Sequence, residues 1–122
     1  MTELTKSAPK TLLVSNNMVE VDDLTEMLIE CGLGPVEHAR GIEETAQILA
    51  DTGGSLRLMI CGLSLHLHEV KAFLASPDVS NVSLVVIDAT ADDLGRAGAA
   101  FLQRPFSTNN VLSALTRLGL RD

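Results

Sequence analysis

Short apolar runs recur five times along this chain, and after each of them the spacing of hydrophobic residues changes to that of a helix. The runs cover residues 11–14, 36–39, 56–61, 83–87 and 99–102. Apolar runs with little polar alternation are typical of strands in a parallel sheet that is covered on both faces. The alternation therefore predicts an α/β fold in which five strands alternate with five helices, (βα)5.

The segments between the runs carry the helical pattern. In the first segment, residues 19–31, Leu24, Met27, Leu28 and Cys31 share one face, whereas acids such as Glu20 occupy the remaining surface. The other apolar faces consist of Ile42, Ala46 and Leu49; Val70, Phe73 and Leu74; and Val111, Leu112, Leu115 and Leu118. Thr90 with Asp93 predicts the start of a short fourth helix that runs to about residue 97. The expected sheet order is the flavodoxin-like 2-1-3-4-5, with helices on both faces.

Composition and charge narrow the class of protein. The chain has 122 residues, of which 46% are hydrophobic, enough for one domain with a sizeable core. We expect residues 1–10 to form a flexible N-terminal tail and residues 11–122 to form the domain. The net charge of −7 disfavours nucleic acid and anionic membranes, which attract clustered Lys and Arg. The chain shows neither a signal-peptide core at residues 1–10 nor an apolar run long enough for a bilayer, so a cytoplasmic location is expected.

The cysteines and histidines show no pattern typical of a metal or redox site. Cys31 and Cys61 both lie in apolar stretches, which favours buried free thiols over a disulfide. His66 and His68 follow the third apolar run, but metal ligation needs three or four suitably placed ligands. We therefore expect no metal ion at these residues.

Four segments resemble, in order and spacing, the receiver domains of response regulators, the CheY-like family. TLLVSNN is similar to the receiver segment in which two acids follow an apolar run, and RLMICGLSLH to the strand that ends at the phosphoacceptor Asp. LVVIDA is similar to the strand that precedes Thr or Ser and then Ala, and GAAFLQRPF to the Gly-Ala, aromatic and Lys-Pro-Phe segment. The resemblance spans about residues 10–119 and implies the same (βα)5 fold.

The departures from the receiver pattern fall on its phosphorylation site. The resemblance places the family's acid pair at Ser15 and Asn16, and its phosphoacceptor Asp at Gly62. Two neutral side chains and a glycine offer no carboxylate to hold Mg²⁺ and no nucleophile to accept a phosphoryl group. The chain is therefore expected to be a degenerate pseudo-receiver, without enzymatic activity, bound metal or cofactor.

Further receiver positions fall near the end of the chain. The family's Thr or Ser falls on Asp88 and its Lys on Arg104, so these two residues either form an ion pair or project separately into solvent. Phe101 occupies the place of the family's switch aromatic, and an ordinary core residue is the alternative interpretation. The resemblance also implies a cis peptide bond before Pro105.

Two hypotheses about function follow. In the first, a phosphorylation-independent pseudo-receiver acts as a signalling or docking module, as a regulator of localisation or transcription, by binding a protein partner or itself. By analogy with receivers, its contact surface would comprise helix 4, strand 5 and helix 5 and would include residues 91–100 and 107–118; alternatively, the short fourth helix only packs on its own sheet. In the second hypothesis, a flavodoxin-like domain binds a small molecule or an anion at the carboxyl ends of the strands, where Arg104 and loop amides lie.

Overall fold

The computed structural model describes residues 9–52, 55–94 and 98–120, and these residues form the predicted α/β fold. Their five parallel strands lie in the order β2-β1-β3-β4-β5. The strands are β1 (Thr11–Val14), β2 (Val36–Ala39), β3 (Leu58–Cys61), β4 (Ser83–Ile87) and β5 (Ala100–Leu102). The helices are α1 (Met18–Glu30), α2 (Ile42–Thr52), α3 (His68–Leu74), α4 (Ala91–Leu94) and α5 (Thr108–Arg117), and a 3₁₀ turn covers Pro77–Val79. The flavodoxin-like fold and its strand order are thereby confirmed.

Each face of the sheet carries its own apolar core. On one face, α1 and α5 pack against side chains that include Leu13 and Ile60. On the other face, α2, α3 and α4 pack against side chains that include Leu12 and Met59. Since neighbouring residues of a strand point to opposite faces, the continuous apolar runs supply both cores at once.

Some details of the predicted elements are wrong: the fifth strand begins at Ala100 rather than at residue 99, and the first helix spans Met18–Glu30 rather than residues 19–31. The third strand begins at Leu58 rather than at residue 56, although Leu56 is buried just before it. In α2, Ala46 is exposed and the inward position belongs to Thr45, whose hydroxyl donates to the Gly41 carbonyl at 2.7 Å. A polar residue that satisfies its hydrogen bond locally can be buried, and a search for apolar spacing misses it.

Several sequence predictions concern residues outside the described ones. These are the N-terminal tail up to residue 8, the glycines at 53–54 that were expected to end the second helix, and residues 95–97 of the fourth helix. Among the helices that the structure describes, none combines the length and the apolar character required to cross a bilayer.

The parallel arrangement brings the ends of the strands to one edge of the sheet. Val14 pairs with Cys61, and Cys61 pairs with Val86, so the residues that follow these strands are neighbours. Asp88 lies directly after β4, where its backbone N–H donates to the Leu102 carbonyl at 2.7 Å. The candidate site is therefore the carboxyl edge of the sheet, as expected for folds of this type.

Candidate functional site

Arg104 is the centre of the carboxyl edge. It lies in the loop between β5 and α5, and its guanidinium extends back across the ends of the strands towards α1. Nε donates to Glu20 Oε2 at 2.8 Å and Nη2 donates to Glu20 Oε1 at 2.9 Å. This is a bidentate pair, which is stronger and more directional than a single contact. It joins two residues that are 84 positions apart in the sequence.

The opposite side of the same guanidinium contacts Asp88. Arg104 Nη1 donates to Asp88 Oδ2 at 2.7 Å, and the backbone N–H of Arg104 donates to Asp88 Oδ1 at 2.8 Å. Asp88 adopts a left-handed backbone conformation with φ of 62°, which Asp tolerates better than most residues. Of the two alternatives that the sequence left open for Asp88 and Arg104, the structure forms the ion pair.

Gly62 gives the guanidinium room to lie against the backbone. Arg104 Nη2 donates to the Gly62 carbonyl at 3.3 Å. A β-carbon added at Gly62 would lie 3.0 Å from Glu20 Oε1 and 3.1 Å from Arg104 Nη2. Both distances are shorter than ordinary van der Waals contact, so a side chain at position 62 would force the Glu20 carboxylate and the guanidinium to shift by a few tenths of an ångström.

Ser15 supports the buried carboxylate of Glu20. The Ser15 hydroxyl donates to Glu20 Oε1 at 3.2 Å and accepts the backbone N–H of Asn17 at 3.1 Å. Asn17 in turn caps α1, since its side chain accepts the Glu20 N–H at 3.2 Å. Asn16, the other position that resembles the receiver acid pair, is exposed.

The Arg104 guanidinium balances one of the two carboxylate charges of the site. The hydrogen bonds that the Arg104 guanidinium donates to the Glu20 carboxylate are the main cause that raises the pKa of Arg104 above its ordinary value. The pKa of the Asp88 carboxyl lies below its ordinary value, chiefly because the Arg104 backbone N–H donates to it. Glu20 is only 9% exposed, so its charge would be costly without the guanidinium. Two carboxylates and one guanidinium thus form a closed network that leaves one negative charge in excess.

A cavity of about 330 Å³ lies beside this network. Its lining includes Gly62, Ser64, Lys71, Asp93 and Arg104. The lining mixes both signs of charge, and Asp93 is already engaged by the backbone N–H of Thr90 at 3.0 Å. This composition does not select strongly for an anion.

The structure also locates the other positions that the sequence singled out. The Arg104-Pro105 peptide bond is cis, as the resemblance implies. Phe101 is half-buried and packs against the core that faces α2 and α3, which fits the core interpretation. Cys61 is buried at the end of β3, where burial raises the pKa of its thiol to about 11, so it is a poor nucleophile.

Glu20, the residue that completes the site, is not among the site residues predicted from the sequence. Helical spacing grouped it with the solvent-facing acids of α1, whereas it is buried and directed at the sheet edge. The signal that would have revealed it is its place in the first turn of α1, because first turns point at the carboxyl edge in this fold. The site therefore contains two carboxylates where the sequence predicted only Asp88, and Arg104 holds both.

The described residues contain no group of three or more His, Cys, Asp or Glu side chains that is arranged to hold a metal ion. No protein-family model and no curated protein matches the chain. Membership of the receiver family therefore stays a prediction from four short sequence segments.

Proposed function

We propose that this chain is a phosphorylation-independent pseudo-receiver that acts in the cytoplasm as a signalling or docking module. The observation that supports it best is the position of the Arg104 guanidinium, which fills the space beside Gly62. In the receivers that this chain resembles, the corresponding space is used by the phosphoacceptor and its metal ion. Here Glu20 and Asp88 hold an internal cation at that place.

The chemistry of the site argues against phosphoryl transfer. Gly62 supplies no nucleophile, and Ser15 already donates its hydroxyl proton to Glu20. An incoming phosphoryl group would also meet the carboxylates of Glu20 and Asp88, which repel it. Their charges are neutralised in part by Arg104, and a divalent cation would have to displace that guanidinium to bind.

The network also favours a docking surface whose conformation does not change with phosphorylation. It ties α1 to the β4–α4 turn through Glu20 and Asp88, and both ties are made by side chains that are always present. In this proposal the domain offers partners a constant shape, through α4, β5 and α5 by analogy with receivers, and its partner is a protein or a second copy. Regulation of localisation or of transcription is the biological role that would suit such a module.

The hypothesis of an anion-binding domain has less support. Four of the five N–H donors of the Arg104 guanidinium are already used, by Glu20, Asp88 and the Gly62 carbonyl. An anion would therefore have to compete with two carboxylates for the same group. Lys71 also lines the cavity, but an anion bound there would meet the carboxylate of Asp93, which lines the same cavity.

The first experiment asks whether the chain accepts a phosphoryl group. Purified protein is incubated with a small phosphodonor and Mg²⁺, and its intact mass is measured beside that of a receiver that retains its acceptor Asp. We expect the mass of this chain to stay unchanged while the control gains one phosphoryl group. A stable gain would contradict the proposal, and the variant Asp88→Asn would show whether Asp88 is the acceptor.

The second experiment asks whether the chain docks onto a protein. Tagged protein is used to capture partners from extract of the native cell, with and without prior treatment with the phosphodonor, and solution mass reports self-association. We expect the same partner, or the same oligomer, under both conditions. A partner that binds only after phosphodonor treatment would contradict phosphorylation independence, and a monomer without any partner would contradict the docking role.

A further inference from the structure

The cavity beside the Arg104 network is lined by charges of both signs that do not all pair with one another. Lys71 and Asp93 line it, and both are exposed. In the described part of the chain both ion pairs are formed by Arg104, so Lys71 and Asp93 do not meet across the cavity. Opposite charges that line the same cavity without meeting leave room for a ligand that contacts both.

Asp88 contributes a second carboxylate to the lining of this cavity. Each of its oxygens accepts one hydrogen bond from Arg104, and a carboxylate offers about four acceptor positions, so about two remain. The Asp88 side chain is 44% exposed, whereas that of Glu20 is buried and pairs with the guanidinium through two bonds. Because Glu20 balances the charge of Arg104, the excess negative charge of the network lies on Asp88, at the cavity.

Apolar side chains form another part of the cavity lining, and they belong to Leu63, Leu65 and Ile87. An aliphatic segment of a ligand could lie against them and exclude water. The volume of about 330 Å³ limits the size of that ligand. At about 30 Å³ for each water molecule of the liquid, the cavity has room for about ten non-hydrogen atoms. The lining therefore suits a small molecule that combines charged groups with a short aliphatic chain.

We infer that this cavity binds a free basic amino acid, with lysine as the example of its chemistry. The carboxylate of the ligand would pair with Lys71, its two ammonium groups with Asp88 and Asp93, and its methylene chain would contact the apolar lining. Two positive groups and one negative group complement two acids and one cation, with His66 counted as neutral. A simple anion would meet both acids, and a simple amine would leave Lys71 unpaired. The inference goes beyond the proposed docking role, which requires no ligand.

The test compares lysine with three analogues that each lack one charged group. Norleucine lacks the side-chain ammonium, ε-aminocaproate lacks the α-ammonium, and cadaverine lacks the carboxylate. Calorimetry measures their affinities for the unaltered chain, and amide shifts of ¹⁵N-labelled protein locate the contact. We expect lysine to bind with a Kd of about 1 mM or lower and to shift the amides of the loop that follows β3. Each analogue should bind at least about tenfold more weakly, because one charge of the cavity then stays unpaired.

Two variants test the side chains that the inference assigns to the ligand. Lys71→Gln should weaken lysine binding at least about tenfold, but it should not weaken the binding of cadaverine, which has no carboxylate to lose. Asp93→Asn should weaken lysine binding to a similar extent. The matched controls are Arg57→Gln and Glu43→Gln, at exposed positions outside the cavity lining. They should bind lysine within about twofold of the unaltered chain.

Several results would overturn the inference: no binding of lysine at millimolar concentration, equal binding of lysine and norleucine, or shifts that map away from the cavity. An equal loss of affinity in Lys71→Gln and Arg57→Gln would do the same. The analogue series uses the unaltered chain, so its result does not depend on the folding of a variant. The phosphodonor and capture experiments measure phosphorylation and partners instead, so the docking proposal can hold where the ligand site fails.

Discussion

At the scale of single residues, Gly62 and the ion pair of Arg104 with Glu20 depend on each other. The missing β-carbon leaves room for the guanidinium at the end of β3. We expect Gly62→Ala to lower the free energy of unfolding by about 1–3 kcal/mol, because the added methyl group crowds Glu20 Oε1 and Arg104 Nη2. Chemical denaturation followed by circular dichroism measures this cost.

A double-mutant cycle with Glu20→Ala separates crowding from a general effect on the loop. Without the Glu20 carboxylate the guanidinium can move aside, so the cost of Gly62→Ala should fall by at least about 0.5 kcal/mol. If the cost is the same in both backgrounds, crowding of the ion pair is not its cause.

The lowered pKa of Asp88 predicts that the folded chain loses stability at acid pH. Its pKa is lowered in the folded chain from the value of 3.8 that applies when the chain is unfolded, chiefly by the Arg104 backbone N–H. The stabilisation is therefore fully present above about pH 4 and is lost as the pH falls through the folded pKa. Melting temperatures between pH 2 and pH 7 measure it, and Asp88→Asn should flatten the acid limb. An unchanged acid limb in that variant would exclude Asp88 as a contributor.

The sequence predicted part of this residue-scale picture. Asp88 and Arg104 follow neighbouring strands, so their meeting was one of two stated alternatives. Glu20 could not be placed in the same way, because helical spacing alone does not say which acids of an amphipathic helix turn towards the end of the sheet. Only the fold brings it next to a residue 84 positions later.

At the scale of elements, α1 carries a repulsion that a single substitution relieves. Glu26 is four residues from both Asp22 and Glu30, so Glu26→Gln removes two unfavourable pairs. We expect the free energy of unfolding to rise by about 0.4–1 kcal/mol at low salt and by less at high salt. Urea denaturation at two salt concentrations checks this, with Glu43→Gln in α2 as a control that should not stabilise. A loss of stability in Glu26→Gln would mean that Glu26 has a favourable contact within the chain.

The elements themselves were predictable wherever one physical pattern dominated. The strand from Ser83 to Ile87 was predicted at its observed bounds, because β-branched apolar residues fill it. Ser107 caps α5 through a capping box with Asn110. Bounds were less predictable where apolar residues continue past the end of a strand, as Leu56 does before β3, because burial alone does not require strand pairing.

At the scale of the whole molecule, adjacent residues of β1 support different cores. Leu12 belongs to the core that α2 and α3 cover, and Leu13 to the core that α1 and α5 cover. Either one replaced by Ala should lower the free energy of unfolding by about 2–5 kcal/mol, because both are fully buried. Val19→Ala, at an exposed position, should change it by less than about 0.5 kcal/mol.

Since a single sheet separates the two cores, each variant should still unfold in one cooperative transition with an unchanged dependence on denaturant. Far-ultraviolet circular dichroism follows this transition in a chain that has neither Trp nor Tyr. Two resolved transitions in either variant would show that the two cores can unfold separately.

The burial of Cys61 gives the molecule a built-in reporter of its own opening. With a pKa of about 11 and no access to solvent, this thiol stays unreactive towards an alkylating reagent until β3 is exposed. Cys31, at the end of α1, is partly accessible and can be blocked or tagged first. A fluorophore attached to Cys31 would mark the end of α1. The slower labelling of Cys61 would then measure how often β3 opens to solvent.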